Sequence, residues 1–131
     1  MREVLDTRFF MEYFYSSNKK TQDRMRRRLV DLIKRNEGIV PAVVLAEVVN
    51  LTCKYRGRDE ARIRYFSVLR SGLIIEPMTS EVSLEAGLMK CQHRNVPMGD
   101  CIIASTAKLN DAGVFSDDGH FDQIKGIKRR W

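Results

Sequence analysis

The chain has 131 residues, 44% of them hydrophobic and 31% charged, with 23 Lys and Arg against 17 Asp and Glu. That length suits a single domain, 1–131, and permits a real core, since a chain near this size buries roughly two-thirds of its unfolded surface. The apolar content excludes a disordered chain. The longest charge-free stretch, Gly38–Ala46, contains Pro41 and has nine residues. A membrane span needs about 20, so no membrane association is expected. Glu3 and Asp6 precede any apolar run, which argues against an ordinary secretory signal. The expectation is a soluble, cytoplasmic protein.

Met1–Leu5 is short and apolar in tendency and stops at Asp6-Thr7, a helix-capping pair. Phe9, Phe10, Tyr13 and Phe14 then recur at helical spacing, with Asn18 near the stop. Residues 20–36 form a strongly basic helix with a narrow stripe of Met25, Leu29, Leu32 and Ile33. Gly38-Ile39-Val40 reads as a buried strand, and Pro41 suits the first turn of a helix that continues to Tyr55. A further basic amphipathic helix spans about Asp59 to Leu69. Leu73-Ile74-Ile75 is the next strand, and Thr79 or Ser80 caps the helix behind it. Asn95-Val96-Pro97 interrupts that helix. Met98–Asn110 follows, with Ala104, Ser105, Thr106 and Ala107 small enough for close packing on a sheet. Val114-Phe115-Ser116 is a last short strand, ending in the turn Asp117-Asp118-Gly119. Short apolar strands alternating with helices define an α/β chain with a mainly parallel sheet.

The charge is unevenly placed. Residues 19–35 hold eight cations against Asp23 and Asp31, an excess equal to the whole formal charge of +6. A second cluster comprises Lys54, Arg56, Arg58, Arg62, Arg64 and Arg70, and a third lies at Lys125, Lys128, Arg129 and Arg130. Such fields attract polyanions. Three cysteines, Cys53, Cys91 and Cys101, without a Cys-x-x-Cys pair suit neither a disulfide scaffold nor a zinc knuckle. With only His93 and His120 as imidazoles, any metal is expected to be a hard ion held by oxygen.

In a parallel sheet, ligands bind beyond the C-terminal ends of the strands. Asp6 follows the first strand, Glu47 lies two turns into the helix after the second, Asp100 opens the helix after Pro97, and Asp117-Asp118 follow the last strand. Singly each has a plain explanation: a cap for Asp6, a helix-dipole partner for Asp100, a turn for Asp118-Gly119. Glu47 is harder to dismiss, because Val43, Val44, Leu45, Ala46, Val48 and Val49 surround it and an isolated buried carboxylate is costly. Crowded carboxylates repel and in proteins chiefly serve to hold a divalent cation. Magnesium or manganese then orients a phosphodiester and lowers the pKa of an attacking water.

At these residues the chain resembles the PIN-domain ribonucleases, and among them the short VapC-type toxins. The resemblance rests on Val4-Leu5-Asp6-Thr7, Val43-Val44-Leu45-Ala46-Glu47-Val48, Met98-Gly99-Asp100-Cys101-Ile102-Ile103-Ala104 and Phe115-Ser116-Asp117-Asp118-Gly119-His120-Phe121, with Ile124 and Gly126 behind. It implies a Rossmann-like three-layer α/β/α sandwich with a five-stranded, mainly parallel sheet. It also implies Mg2+ or Mn2+ at Asp6, Glu47, Asp100 and Asp118, with Asp117 as the alternative fourth acid and Thr7 and Ser116 in support. Similar proteins cleave RNA, pair with a small antitoxin and form homodimers. Arg8 departs from the family pattern and implies a cation at the pocket's edge. The aromatic run Phe9, Phe10, Tyr13, Phe14 and Tyr15 exceeds what one helix face buries, which suits a dimer or antitoxin groove. Two other readings stand beside the toxin: a PIN-type nuclease of RNA processing or decay, and a non-catalytic RNA- or partner-binding module. A phospho-receiver domain fits less well, because Arg2-Glu3-Val4-Leu5-Asp6 lacks the paired acids such domains carry after their first strand.

Overall fold

A computed structural model describes the whole chain, Met1–Trp131. The order is β1 (Glu3–Leu5), α1 (Thr7–Tyr15), α2 (Lys19–Arg35), β2 (Gly38–Pro41), α3 (Ala42–Arg56), α4 (Arg58–Leu69), β3 (Ile74–Glu76), α5 (Ser80–Gln92), α6 (Met98–Leu109), β4 (Gly113–Phe115) and β5 (Arg129–Arg130), with a 3-10 turn at Gly119–Gln123. The five strands run in the order β3-β2-β1-β4-β5, and every neighbouring pair is parallel. Helices cover both faces of the sheet, the arrangement that right-handed crossovers enforce on a parallel sheet. The Rossmann-like α/β/α sandwich expected from the sequence is the fold.

Local chemistry explains the boundaries. Asp6 caps α1 by accepting from the Phe9 amide at 3.0 Å. Asn18, three residues past the end of the aromatic helix, is the N-cap of α2, accepting from Thr21 N at 3.1 Å. Helix α1 ends at Tyr15, because Ser16 turns extended. Asn36 closes α2 in the left-handed conformation, φ 56°, a cap that asparagine tolerates better than most residues. At the junction of α3 and α4 Gly57 takes φ 94°, where a side chain would be strained. Pro41 finishes β2 and caps α3, one position earlier than the first-turn placement expected.

The core unites Val4, Leu5, Phe9, Phe10, Leu32, Ile39, Val40, Ile103, Val114 and Phe121, all essentially buried. Phe9 packs edge-on against both Phe10 and Phe115, joining α1 to β4. Helix α6 is enclosed nearly all round, Cys101–Ala107 being buried without a break, as its small residues anticipated. All three cysteines are free thiols, Cys101 buried in α6 and Cys53 and Cys91 exposed.

Strand β5 is too polar to read as a strand, and an ion cluster places it. Glu3 on β1 is 2% exposed and pairs with Arg28 of α2 and Arg130 of β5. One buried carboxylate thus ties the central strand to a helix and to the sheet's edge. Removing one member of a buried ion cluster strands the rest. Because both arginines keep some contact with water, Glu3→Ala is expected to cost about 3 kcal/mol, at the low end for a broken buried pair. Urea denaturation against the parent protein measures it, with an unchanged midpoint as the contrary result.

Candidate active site

The parallel register sends β1, β2 and β4 out at the same edge of the sheet, and there the acids meet. A cleft of about 460 Å³ is walled by Asp6, Thr7, Glu47, Asp100, Asp117 and Asp118, with Arg8, Met11, Leu51 and Ile103 completing it. The acids picked from distant stretches of sequence therefore share one cavity.

Each is held differently. Asp6 is the most buried, 6% exposed, fixed by its capping bond and by the Ser116 hydroxyl. Glu47 opens onto the cleft while Val44, Leu45 and Val48 of the same helix face the core. The apolar neighbours in its sequence thus do not enclose its carboxylate. Its Oε1 accepts from the Thr7 hydroxyl at 3.1 Å. Gly99 leaves room beside it, since even a Cβ there would sit 3.8 Å from both Glu47 oxygens. Asp100 stands in the first turn of α6, where the helix dipole favours a negative charge. The preceding loop is clamped by Lys90 Nζ, which donates to the carbonyls of Arg94 and Val96 at 2.6 and 2.8 Å. Asp118 caps the 3-10 turn, accepting from His120 N at 2.8 Å while its own amide donates to Ser116 Oγ at 3.0 Å.

Asp117 and Asp118 both reach the cleft and differ in partners. Asp117 lies 3.6 Å from Arg8 Nη2, so the departing residue Arg8 does set a cation at the edge. Asp118 instead has its Oδ1 3.1 Å from His120 Nδ1. The same imidazole nitrogen is 3.1 Å from Asp100 Oδ2. Sequence reasoning gave His120 no role and expected oxygen donors alone. The structure groups Asp100, Asp118 and His120 with ligand atoms within 4.8 Å of one another. The available signal was its position two residues past Asp118, in a turn that folds the ring back over the acid it follows.

Crowding and burial act on Asp6, Glu47 and Asp100 in one direction. Burial pushes Asp6 up to about 6, with Asp117 and Asp100 adding repulsion and the Ser116 and Phe9 bonds opposing it. Glu47 is raised by desolvation and by Asp100, against the Thr7 bond. Asp100 is raised by desolvation and then by Asp118, with His120 pulling the other way. An oxygen-rich cleft whose acids resist ionisation in isolation suits a hard divalent cation.

A family model described as PIN domain matches residues 4–127, and the chain belongs to that family. Its fold is also that of solved toxin–antitoxin structures. VapBC2 from Rickettsia felis, bound to a DNA fragment from its promoter, superposes with TM-score 0.79 at 18% identity over 100% of this chain and 99% of that one. VapC20 from Mycobacterium tuberculosis, a sarcin–ricin loop cleaving toxin, gives TM-score 0.72 at 16% identity over 95% of each chain. A toxin–antitoxin complex from Klebsiella pneumoniae gives 0.68 at 16% identity over 95% and 94%. The sequence has no match among curated proteins.

The raised acid makes a stability prediction. Native Asp6 holds its proton up to about 6, against an ordinary 3.8, so between those pH values the native state binds more protons than the unfolded chain. Stability in EDTA therefore falls as pH rises through that window, by about 3 kcal/mol for this group. Urea midpoints at pH 3.5 and 7 should show the fall, and Asp6→Asn should lessen it, leaving the share that Glu47 and Asp100 contribute. A flat profile in the parent would refute the assignment to Asp6.

Proposed function

We propose that the protein is a divalent-metal-dependent endoribonuclease that hydrolyses RNA phosphodiester bonds, acting as the toxin of a VapBC-type toxin–antitoxin pair. The observation that carries this reading is the convergence of Asp6, Glu47, Asp100 and Asp118 on one cleft, with Asp6, Glu47 and Asp100 partly desolvated there. The donor set fits Mg2+ or Mn2+, both of which take oxygen ligands, and a nitrogen from His120 would favour Mn2+ of the two. Those four acids would hold the ion, with Asp117 at the edge. When bound, it orients the phosphodiester, lowers the pKa of the attacking water and stabilises charge developing on phosphate.

The chain's own side chains do the rest. Thr7 and Ser116 fix the directions of Glu47 and Asp6. Arg8, against Asp117, presents a guanidinium where an incoming phosphate would lie. The basic face of α2 raises the local concentration of polyanion. Likeness to a sarcin–ricin loop cleaving toxin supports RNA as substrate.

Partner binding has its own support. An apolar groove of about 290 Å³ between α1, α2 and α4 is lined by Phe10, Tyr13, Phe14, Val30, Ile33 and Leu73, among others. It gives the excess aromatic surface of α1 a use, as a seat for a small antitoxin. On α5, Leu84 and Leu88 stand exposed one turn apart, an apolar pair that a second copy would cover in a homodimer. No helix is long and apolar enough to cross a membrane, and the reading places the protein with its RNA target in the cytoplasm.

The test is cleavage of a mixed RNA substrate with Mn2+, with EDTA and Asp100→Asn as controls. Cleavage should vanish in EDTA and fall by roughly a hundredfold or more in Asp100→Asn, whose melting temperature in EDTA should match or exceed the parent's. Normal turnover by that variant would sink the assignment.

A further inference from the structure

Away from the acidic cleft, on the face of the sheet that packs against α2, lies a second groove of about 380 Å³. Its walls are Arg24, Arg27 and Arg28 of α2 with Asp31, Phe115 of β4, and Arg130 and Trp131 at β5. Four guanidiniums and an indole around one open hollow are unusual chemistry for a plain surface. Arg28 and Arg130 are committed in part to the buried Glu3, which fixes their positions. Neither Arg24 nor Arg27 takes part in a salt bridge. Arg24 lies 5.3 Å from the centre of the Trp131 ring, and Phe115 backs the same indole at 5.2 Å. The arginine and the half-buried tryptophan thus form a stack already in place. Arg24 and Arg27 also wall an adjoining hollow with Lys20, Thr21 and Asp23, so the cationic surface continues along α2.

We propose that this groove is a nucleotide subsite for single-stranded RNA leading to the acidic cleft. Arg24 and Arg27 take backbone phosphate, and a base adds to the Arg24–Trp131 stack. Single-stranded nucleic acid is held by this pairing of cationic track and π-face, and bases stack on guanidinium planes as readily as on rings. An acidic peptide would satisfy the charge but leave the indole unused. Position favours the same occupant: Phe115 walls the groove and Asp117 walls the cleft, and two residues of chain span at most about 7 Å. The assignment rests on the RNA reading above for the identity of the strand.

Trp131 is the only tryptophan, so its emission reports on this groove directly. In EDTA, where no cleavage is expected, the intact protein is titrated with an unstructured fluorescein-labelled RNA dodecamer, following Trp131 quenching and RNA anisotropy together. Saturable quenching should track the anisotropy. R24A/R27A should weaken binding about tenfold or more at low salt and lower the salt slope, while W131F should weaken it severalfold with the slope unchanged. Melting temperatures confirm that the variants fold. RNA that binds with Trp131 emission unchanged and with R24A/R27A affinity equal to the parent's overturns the subsite. So does an absence of RNA binding, or polyglutamate quenching and binding as tightly as RNA. Cleavage in Mn2+ is scored separately. Quenching without cleavage keeps the subsite and counts against the nuclease, whereas cleavage without quenching does the reverse.

Discussion

The arrangement depends on one electrostatic constraint: carboxylates from four segments must share a cleft while the scaffold resists their repulsion. A parallel sheet meets that constraint cheaply in sequence. Its register sends every strand out at one edge, so an acid placed just past β1, past β4 and in the first turn of α6 arrives at the same place without long loops. The repulsion is then absorbed by fixed local bonds. Asp6 and Asp118 double as caps, Glu47 leans on Thr7, and Asp100 on His120. Each bond lowers the cost of a charge that burial and its neighbours raise.

A second consequence is the separation of charge over the molecule. The acids lie at the ends of the strands, and the arginines lie along α2 and at β5. Glu3 is the joint between the two regions. It sits on the central strand, reaches no part of the acidic cleft, and anchors Arg28 and Arg130. It also lies on the strand that ends in Asp6, so the ion cluster that seats the basic groove and the cap that seats the most buried acid share one short stretch of backbone. Disturbing either alters the frame of the other.

Much of this was legible in the sequence, for physical reasons that differ by residue. Asp6 and Asp100 sit where helix-start chemistry and strand ends coincide, so topology alone brings them together. Glu47 stood out because a carboxylate among valines demands an outlet, and the cleft supplies it. What was not legible depended on long-range contact. Strand β5 is two arginines, invisible to any hydrophobic pattern and held by a carboxylate more than a hundred residues away. His120 drew no role from the sequence, because its proximity to Asp100 arises only when α6 and the 3-10 turn meet.

His120 and Arg8 also bear on the charge balance of the cleft. Five carboxylates line or edge the cleft, and Arg8 is the one permanent positive charge in its wall. Arg8 is shared with Glu12, to which its Nε donates at 3.0 Å, so only part of its charge is felt by Asp117. His120 touches Asp100 and Asp118 together and contributes charge only when protonated. With both counted, the negative charges still outnumber the positive. Protonation relieves the crowding only at acid pH: Asp6, pushed up to about 6, is mostly ionised at pH 7, so its repulsion by Asp117 and Asp100 is felt there. A divalent ion would offset that repulsion and reverse the field facing an incoming phosphodiester. The residues whose burial and mutual repulsion make ionisation costly would therefore be the ones to hold such a cation.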